Sequence, residues 1–541
     1  LGDGRPSSTF ASPSDDVARA WADALAASAA PYDGDAALAG AAAAQLLQCR
    51  ARDGGASAAT AARALEAHLA ADLGDAGATA AFLDALAKTA ATLRGAADPL
   101  LAVYAAALER GARADARFPG DGAAPNLAAV AGAVAARRSA TVDIATQRGL
   151  DGVLAVALRS LGTEAFLDVL PRGATCFPGV ARLAFKDGAD HARLTLADLG
   201  DCVLVPAASA GDAMAAELWA LAPLYCARGA GDFEAAVSAR DAVLAALNGA
   251  DAARKRVACE CLAALGPRRD QPSAGACARK CLPALFGAAL DDDADAAAAA
   301  AAAVAAVAPN AEPSFVSAIF KKLATRLLGS VSALAAAGSR GRKRGAGGDD
   351  KSDAQKAAKL CDLAAALAPS LELASADVLW RAALPLAALD AHLDLQKRAY
   401  KIFAALCARP DFLASKADAV VEALGQQGAC PVACRAARVT CLANVVEASP
   451  APKPIVAALV GEVVLCLKDA NGKARAAAFG LLDAMAAAMD EKEGALVEFI
   501  HMLLGGLGAR TSHMRSAALV AVARALYAYG DRADVLDLVP K

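Results

Sequence analysis

Four arginines recur at a nearly constant interval in the C-terminal half of the chain, and each precedes an apolar segment: Arg398, Arg438, Arg475 and Arg515. Their separations are 40, 37 and 40 residues. A large apolar residue follows each arginine after four positions: Ile402, Leu442, Phe479 and Leu519. A second apolar position follows after seven: Ala405, Val445, Leu482 and Val522. Because positions i, i+4 and i+7 share one helix face, the interval predicts a helical repeat that buries the same stripe in every unit.

The segment Pro454–Ala488 shows how one unit is built. Its first apolar helix is followed by the turn Lys468–Gly472, which contains Asp469, and a second helix begins at Lys473. This order is typical of the HEAT repeat, whose period is about 40 to 47 residues. Lys356 extends the register one unit upstream. We therefore expect an all-α, HEAT/armadillo-type superhelix, in which each helix pair covers the apolar face of the next.

Composition favours helices in the N-terminal half as well. The chain is 57% hydrophobic but only 4% aromatic, and its apolar fraction is mostly alanine, the best helix former and a weak core filler. No Asn-Gly or Asp-Gly turn joins two alternating segments, so strands are not expected. The predicted N-terminal helices are Val17–Ala30, Asp35–Arg50, Ala58–Asp72, Ala78–Leu93 and Pro99–Arg110.

Changes in pattern divide the chain into four predicted regions: alanine-rich helical repeats (1–160), central helical repeats (161–337), a basic, glycine-rich linker (338–353) and C-terminal HEAT repeats (354–541). Within the central region, residues 172–206 resemble no clean repeat. We expect the linker to be a mobile loop, because it has too little apolar surface to bury. Since the first residue is leucine, we also expect the sequence to be a piece of a longer protein.

Charge and hydropathy exclude two classes of protein. Lys and Arg number 55 against 58 Asp and Glu, a net charge of -3, so no global basic field draws the chain onto nucleic acid. The longest apolar segment, Ala296–Ala308, is almost pure alanine and ends at Pro309. It is too short for a membrane span of about 20 residues. We expect no membrane partner, and any RNA contact to depend on a local basic patch.

No catalytic signature is present in the sequence. It contains no phosphate-binding loop, no His-Glu-x-x-His and no nucleophile elbow, and its 5 histidines are scattered. We predict a non-enzymatic protein without cofactor or small-molecule substrate. Most of its 14 cysteines are expected to be buried small hydrophobes. Zinc is an alternative only for the group Cys259, Cys261, Cys277 and Cys281, whose spacing departs from the usual Cys-x-x-Cys pair.

The candidate partner-binding residues are basic: Arg340, Arg342, Lys343, Arg344, Lys397, Arg398, Lys473, Arg475 and Arg515. The first four lie in the linker, where they could form a nuclear-import signal or a phosphate contact, or could only keep the loop solvated. The others lie at the starts of repeat helices. There a basic residue can contact a ligand directly or can pair with the turn aspartate of a neighbouring repeat as a structural ladder.

Five segments resemble one family: Gly162–Pro171, Leu218–Cys226, Leu395–Lys401, Glu462–Phe479 and Ser512–Ala517. They are similar to segments of the ribosomal RNA-processing protein 12 group of ribosome-assembly factors, over residues 160–530. The last three fall within the arginine register. The segment between Pro171 and Leu218 departs from the family, because it lacks the expected Trp-Leu-Leu-Pro.

The resemblance implies a nuclear and nucleolar scaffold, shuttling to the cytoplasm, that binds pre-ribosomal particles through protein and ribosomal RNA. It also implies support of small-subunit RNA maturation and subunit export, and contact with Ran and karyopherins. Two other classes of HEAT protein stay open: an importin-like nuclear transport receptor, and a regulatory scaffold such as a phosphatase subunit.

Overall fold

The computed structural model describes residues 83–538, except 85, 93–99, 118–122, 172–174, 187–190, 268–272, 340–348, 390–391, 427–429, 450, 492–493 and 537. The predicted helices before residue 83 and the four linker cations at 340–344 lie outside the described residues. Contacts between Cα atoms divide the chain into two compact units, Leu1–Ala264 and Leu265–Lys541. The four regions expected from the sequence stay predictions.

Unit 1 is mainly helical. Its α-helices are α1 Leu100–Arg117, α2 Ala123–Ser139, α3 Ile144–Leu161, α4 Thr163–Val169, α5 Phe177–Ala184, α6 Leu196–Asp198, α7 Val205–Ser209, α8 Asp212–Trp219, α9 Ala222–Arg228, α10 Val237–Asn248 and α11 Ala252–Leu265, which ends across the boundary. Short 3-10 and π-helical segments cover Ala90–Thr92 and Leu199–Leu204. Helices α1, α2 and α5 all pack against α3.

Helix α3 has defined ends that follow from its flanking residues. The Asp143 side chain caps its start by accepting a hydrogen bond of 2.8 Å from the Thr146 amide. At its end Gly162 adopts a φ of 88°, which favours glycine. A Cβ at this position would lie 2.9 Å from the Arg193 carbonyl oxygen. The sequence therefore fixes where this central helix begins and ends.

Residues 191–230 contain the exception to the helical pattern. Strand β1, His191–Thr195, pairs in parallel with the two-residue strand β2, Gly229–Ala230, and the π-helical segment follows β1 after one short turn. A side chain at Gly229 would place its Cβ 2.6 Å from the Tyr225 carbonyl oxygen, so the close approach requires glycine. The expectation of no strand is wrong here, although the region was expected to depart from the repeat.

Unit 2 contains longer helices that are joined by short turns. They are α12 Ala274–Ala289, α13 Ala294–Val307, α14 Pro313–Ser339, α15 Asp349–Leu367, α16 Leu373–Ala387, α17 Leu393–Cys407, α18 Pro410–Gln426, α19 Arg435–Ala448, α20 Pro452–Cys466, α21 Gly472–Asp490, α22 Ala495–Gly505, α23 Ser512–Tyr529 and α24 Ala533–Leu536. Short 3-10 turns cover Ala308–Asn310, Ala368–Ser370 and Gly506–Gly508.

The helices of unit 2 form stacked pairs. The second helix of each pair packs on the second helix of the next pair, in the order α15, α17, α19, α21 and α23. The first helices also contact one another in succession, in the order α14, α16 and α18. The pair α20 and α21, joined by residues 467–471, is the unit expected over Pro454–Ala488. These pairs confirm the all-α, HEAT/armadillo-type repeat fold in this unit.

The predicted apolar stripe holds only in part in the last repeat, where Val522, seven residues after the arginine, is buried but Leu519, four residues after it, is not. Ile402 and Leu442 are buried, but Leu519 is 59% exposed. The buried face of α23 instead consists of Ala517, Ala518, Ala521, Val522 and Ala525. Alanine has the smallest apolar side chain of these residues. The buried, alanine-rich face of α23 is therefore hard to recognise from hydrophobic periodicity in the sequence. The prediction that Leu519 is buried is therefore wrong.

Candidate polyanion-binding edge

Two neighbouring turns of unit 2 have closely similar construction. In the turn before α21, the Asn471 side chain accepts a hydrogen bond of 3.0 Å from the Lys473 amide. In the turn before α23, the Thr511 hydroxyl accepts one of 3.2 Å from the Met514 amide. Both are N-caps, which favour the start of a helix at a fixed residue. The two caps therefore determine where α21 and α23 begin.

Arg475 and Arg515 occupy the same place relative to these two turns. Nη1 of Arg475 donates to the carbonyl oxygens of Asp469 and Ala470, at 2.8 and 3.1 Å. Nη1 of Arg515 donates to the carbonyl oxygens of Ala509 and Arg510, at 3.0 and 3.1 Å. In each case the acceptors lie six and five residues before the arginine. The guanidinium groups therefore close the turns and are held at defined positions, while both residues remain exposed.

Asp469 is the carboxylate of the first turn, and it faces inward. Its side chain is 2% exposed, accepts a hydrogen bond of 2.8 Å from the Asn471 amide and pairs with Arg435 at 2.6 Å. The Asn471 amide, followed by the Arg435 guanidinium, lowers the pKa of this carboxyl below its usual value. The negative charge of the turn is thus buried and paired with Arg435, although it also interacts electrostatically with Arg475.

A contact between the two turns brings their cations to one edge. Lys468, in the turn before α21, donates a hydrogen bond to the hydroxyl of Ser516, the fifth residue of α23. We define the basic edge as Lys468, Lys473, Arg475, Arg510 and Arg515. Within the described part of the chain, no carboxylate lies within 4.0 Å of the charged nitrogen atoms of any of these five side chains. Within the described residues, none of these five side chains therefore forms an ion pair.

Helix dipoles add to this positive potential. The N-termini of α21 and α23 carry unsatisfied backbone N–H groups and a partial positive charge, and both begin at the basic edge. A helix N-terminus next to a cation is a favourable place for a phosphate or carboxylate. Exposed His513, one residue before Met514, lies at the start of α23 as well. The arrangement can bind an extended anion across two turns.

Other predicted site residues have carboxylate partners. Nζ of Lys397 lies 3.4 Å from Asp394, and Nε of Arg398 donates a hydrogen bond of 2.9 Å to Asp362 on the preceding second helix. Such pairs reduce the charge that is free to attract a ligand. The structure therefore brings together Lys473, Arg475 and Arg515 at the basic edge. Lys397 and Arg398, both on α17, form ion pairs instead.

The structural ladder expected from the sequence is present with a different arginine. Arg435, at the start of α19, pairs with the turn Asp469 of the next repeat. The register residue Arg438 is buried instead, where it donates to the Leu424 carbonyl oxygen at 2.8 and 3.2 Å and pairs with Glu462. Position in the register alone therefore does not decide whether an arginine is structural or available.

Two edge cations lay outside the candidate set that the sequence indicated. Lys468 precedes Arg475 by seven residues, and Arg510 precedes Arg515 by five. Both lie in turns, not at helix starts, so the helical register does not single them out. A search for cations in each turn between paired helices would have found them.

The described segments hold no cluster of metal-ligating side chains. Within them, no three His, Cys, Asp or Glu side chains come together as a metal ion would require. Cys259 and Cys261 in α11, and Cys277 and Cys281 in α12, are buried, with the Sγ atoms of the last two 3.8 Å apart. These four cysteines are the buried small hydrophobes that were predicted. Nor does any described helix combine the length and apolar character of a membrane span.

No family model and no curated protein matches the sequence. Among solved structures, it is similar to an engineered protein at 16% identity, covering 89% of this chain and 98% of that chain, with a TM-score of 0.29. It is similar to a Kap121p mutant at 12% identity and TM-score 0.47; the alignment covers 96% of this chain but 54% of Kap121p. Yeast importin-β (Kap95p) matches at 12% identity over 98% and 80% of the two chains, with a TM-score of 0.40. Values this low assign the chain to no family.

Proposed function

We propose that the protein is a non-catalytic HEAT-repeat scaffold of ribosome biogenesis, which binds pre-ribosomal particles by holding RNA phosphates on the basic edge. The observation that supports this proposal is the group of cations on two capped turns, which the Lys468–Ser516 hydrogen bond connects, at two helix N-termini. An RNA strand suits such a group, because it carries a phosphate anion on every nucleotide.

The resemblance to the ribosomal RNA-processing protein 12 group supports the choice of RNA. Two of the resembling segments lie at the edge: Glu462–Phe479, which resembles the most recognisable repeat of that group, contains the first edge turn, and Ser512–Ala517 contains the start of α23. The proposal therefore includes nuclear and nucleolar localisation, with partners among ribosomal RNA and assembly proteins, and support of RNA processing and subunit export.

The overall charge of -3 limits how the protein can bind RNA. Since the whole chain does not attract RNA, binding must come from the local edge and must weaken as salt is added. For about four phosphate contacts with single-stranded RNA, the logarithm of the binding constant should fall with a slope of about -3 against the logarithm of salt concentration. A slope near zero would contradict phosphate binding.

A double substitution tests the edge directly. Lys473→Gln with Arg510→Gln removes two exposed charges without removing a turn hydrogen bond made by either side chain. The matched control, Arg279→Gln with Lys321→Gln, removes two exposed charges elsewhere in unit 2. We expect the edge variant to bind single-stranded RNA at least about tenfold more weakly in a fluorescence anisotropy assay, and the control to bind as the native chain does.

Affinity purification from cells tests the cellular part of the proposal. Pre-ribosomal RNA and assembly proteins should co-purify with the native chain and should be reduced with the edge variant. Recovery of Ran, nucleoporins and cargo without pre-ribosomal RNA would instead favour a transport receptor. Unchanged ribosomal RNA intermediates after depletion of the protein would contradict the role in ribosome biogenesis.

A further inference from the structure

A charged groove of about 560 Å³ lies in unit 2, away from the two turns of the basic edge. It is formed by the C-terminal half of α14, the N-terminal half of α15 and the turn before α13. Its polar lining consists of Asp292, Arg326, Ser330, Asp353, Lys356 and Lys359. Its volume falls within the range of about 300 to 1,000 Å³ that small-molecule sites usually have.

The cations of the groove are only weakly engaged. Along the described segments, no carboxylate lies within 4.0 Å of the Arg326 guanidinium, which is exposed. Nζ of Lys356 lies 3.7 Å from Asp353, and both side chains are at least half exposed. Lys359 donates to the carbonyl oxygen of Asp291 at the rim. Arg326 and Lys356 can therefore turn toward an anion in the groove.

The groove also contains acceptors that an anion alone would not satisfy. Asp292 and Asp353 are carboxylates, which accept hydrogen bonds and repel a second negative charge. Because Nζ of Lys356 lies 3.7 Å from Asp353, a ligand that suits the whole lining carries an anionic group with hydroxyl donors beside it. A phosphorylated sugar has this chemistry, and a carboxylate next to ribose hydroxyls is a recurrent mode of nucleotide recognition.

Apolar surface completes the groove. Leu290 and Leu360 contribute to the lining, and Gly329 leaves room above α14. A Cβ built at Gly329 would meet no atom within 4 Å. The space over Gly329 is therefore open to part of a ligand whose polar groups reach the charged side chains.

We propose that this groove binds a ribose phosphate unit, with the phosphoryl group at Arg326 and Lys356 and the ribose hydroxyl groups at Asp292 and Asp353. The unit can come from a free ribonucleotide or from one nucleotide of an RNA chain. The site is separate from the basic edge and does not depend on RNA binding there.

Calorimetric titration of the full chain with AMP tests the proposal. We expect saturable binding of one AMP, and binding at least about fivefold weaker for 2′-deoxy-AMP, which lacks one ribose hydroxyl, for adenosine, which lacks the phosphoryl group, and for inorganic phosphate, which lacks the ribose. Arg326→Gln should weaken AMP binding about tenfold. No heat of binding at millimolar AMP, or equal affinity for AMP and 2′-deoxy-AMP, would overturn the proposal.

A pair of substitutions at Gly329 separates blocking of the groove from damage to the fold. Gly329→Trp fills the open space and should abolish AMP binding, whereas Gly329→Ala adds one methyl group in the same helix and should retain it. Circular dichroism checks that both variants keep their helices. Unchanged AMP binding by a folded Gly329→Trp protein would also overturn the proposal.

Competition identifies the source of the ligand. If RNA supplies the ribose phosphate, a single-stranded oligoribonucleotide should displace AMP, and Gly329→Trp should weaken RNA binding. If a free ribonucleotide is the ligand, the oligoribonucleotide should leave AMP bound. The variant Lys473→Gln with Arg510→Gln should bind AMP normally in either case, so failure of the edge and failure of the groove give different results.

Discussion

The guanidinium group of Arg435 pairs with the carboxylate of Asp469 at 2.6 Å, and so connects the first residue of α19 to the turn of the next repeat. The Asp469 carboxylate also accepts a hydrogen bond from the backbone amide of Asn471, which belongs to the same turn. One nearly buried carboxylate therefore fixes the shape of a turn and the position of a neighbouring helix together. The basic edge outside this turn depends on that arrangement.

Removal of the Asp469 carboxylate should destabilise unit 2. Asp469→Ala leaves the Arg435 guanidinium and the Asn471 amide without their acceptor, so we expect the free energy of unfolding to fall by about 2 to 3 kcal/mol. Asp483→Ala is the matched control, because Asp483 pairs with Arg524 at an exposed site and should contribute about 1 kcal/mol or less. Urea denaturation measures both. Equal losses in the two variants would show that burial of Asp469 has no special effect.

The same carboxylate should make stability depend on pH in acid. The pKa of Asp469 is lower in the folded protein than its ordinary value, so its stabilising effect is complete above the unfolded pKa of about 4. The effect should be lost as pH falls through the lowered folded pKa. We expect the difference in unfolding free energy between the native chain and Asp469→Asn to be constant from pH 7 to about 5, and to shrink below about pH 4. A difference that grew in acid would have the wrong sign.

Exchange of Arg475 for lysine should separate turn closure from charge. A lysine ammonium is a point charge without the planar fork of arginine, so Arg475→Lys should weaken the bonds to the Asp469 and Ala470 carbonyl oxygens. We expect the free energy of unfolding to fall by about 1 kcal/mol, while RNA affinity falls less than in Arg475→Gln. Lys473→Arg is the control and should change neither quantity. Full retention of stability in Arg475→Lys would mean that the carbonyl contacts are energetically unimportant.

Two leucines test the corrected orientation of the last repeat. Leu482 is buried in α21, so Leu482→Ala should lower the free energy of unfolding by about 2 to 5 kcal/mol. Leu519 is mostly exposed in α23, so Leu519→Ala should change it by less than about 0.5 kcal/mol. Thermal denaturation of the two variants gives the comparison. A large loss in Leu519→Ala would restore the stripe expected from the sequence.

Much of unit 2 could be predicted from the sequence because its signals are local. Helices α19, α21 and α23 each begin three residues before a register arginine, and the side chains of Asn471 and Thr511 cap the starts of α21 and α23. Helix α17 begins five residues before Arg398, which instead donates to Asp362 and to the Asp394 carbonyl oxygen. Arg438 has the same three-residue offset as Arg475 and Arg515 but is buried against the Leu424 carbonyl oxygen, so the offset from the helix start does not set the contacts of the arginine. The period predicts the helix but not the contacts of its first cation.

Features that depend on distant contacts could not be predicted. Strand β1 alternates polar and apolar residues, but only over the five residues His191–Thr195, and its two-residue partner is recognisable only once Gly229 lies close to the Leu194 carbonyl oxygen. The basic edge likewise depends on the Lys468–Ser516 contact, whose residues lie 48 positions apart. Only the folded repeats bring the two turns together, and only then do Lys468 and Arg510 join the predicted cations.

The hydrogen bonds of Arg475 and Arg515 to the turn carbonyl oxygens have an entropic consequence for binding. A long side chain that is free in solution loses about 0.5 to 1.5 kcal/mol in conformational entropy when a ligand immobilises it. These two guanidinium groups are already immobilised by their own turns before any ligand arrives. Folding has therefore ordered part of the binding surface in advance, and a strand that meets this edge finds two of its cations preorganised.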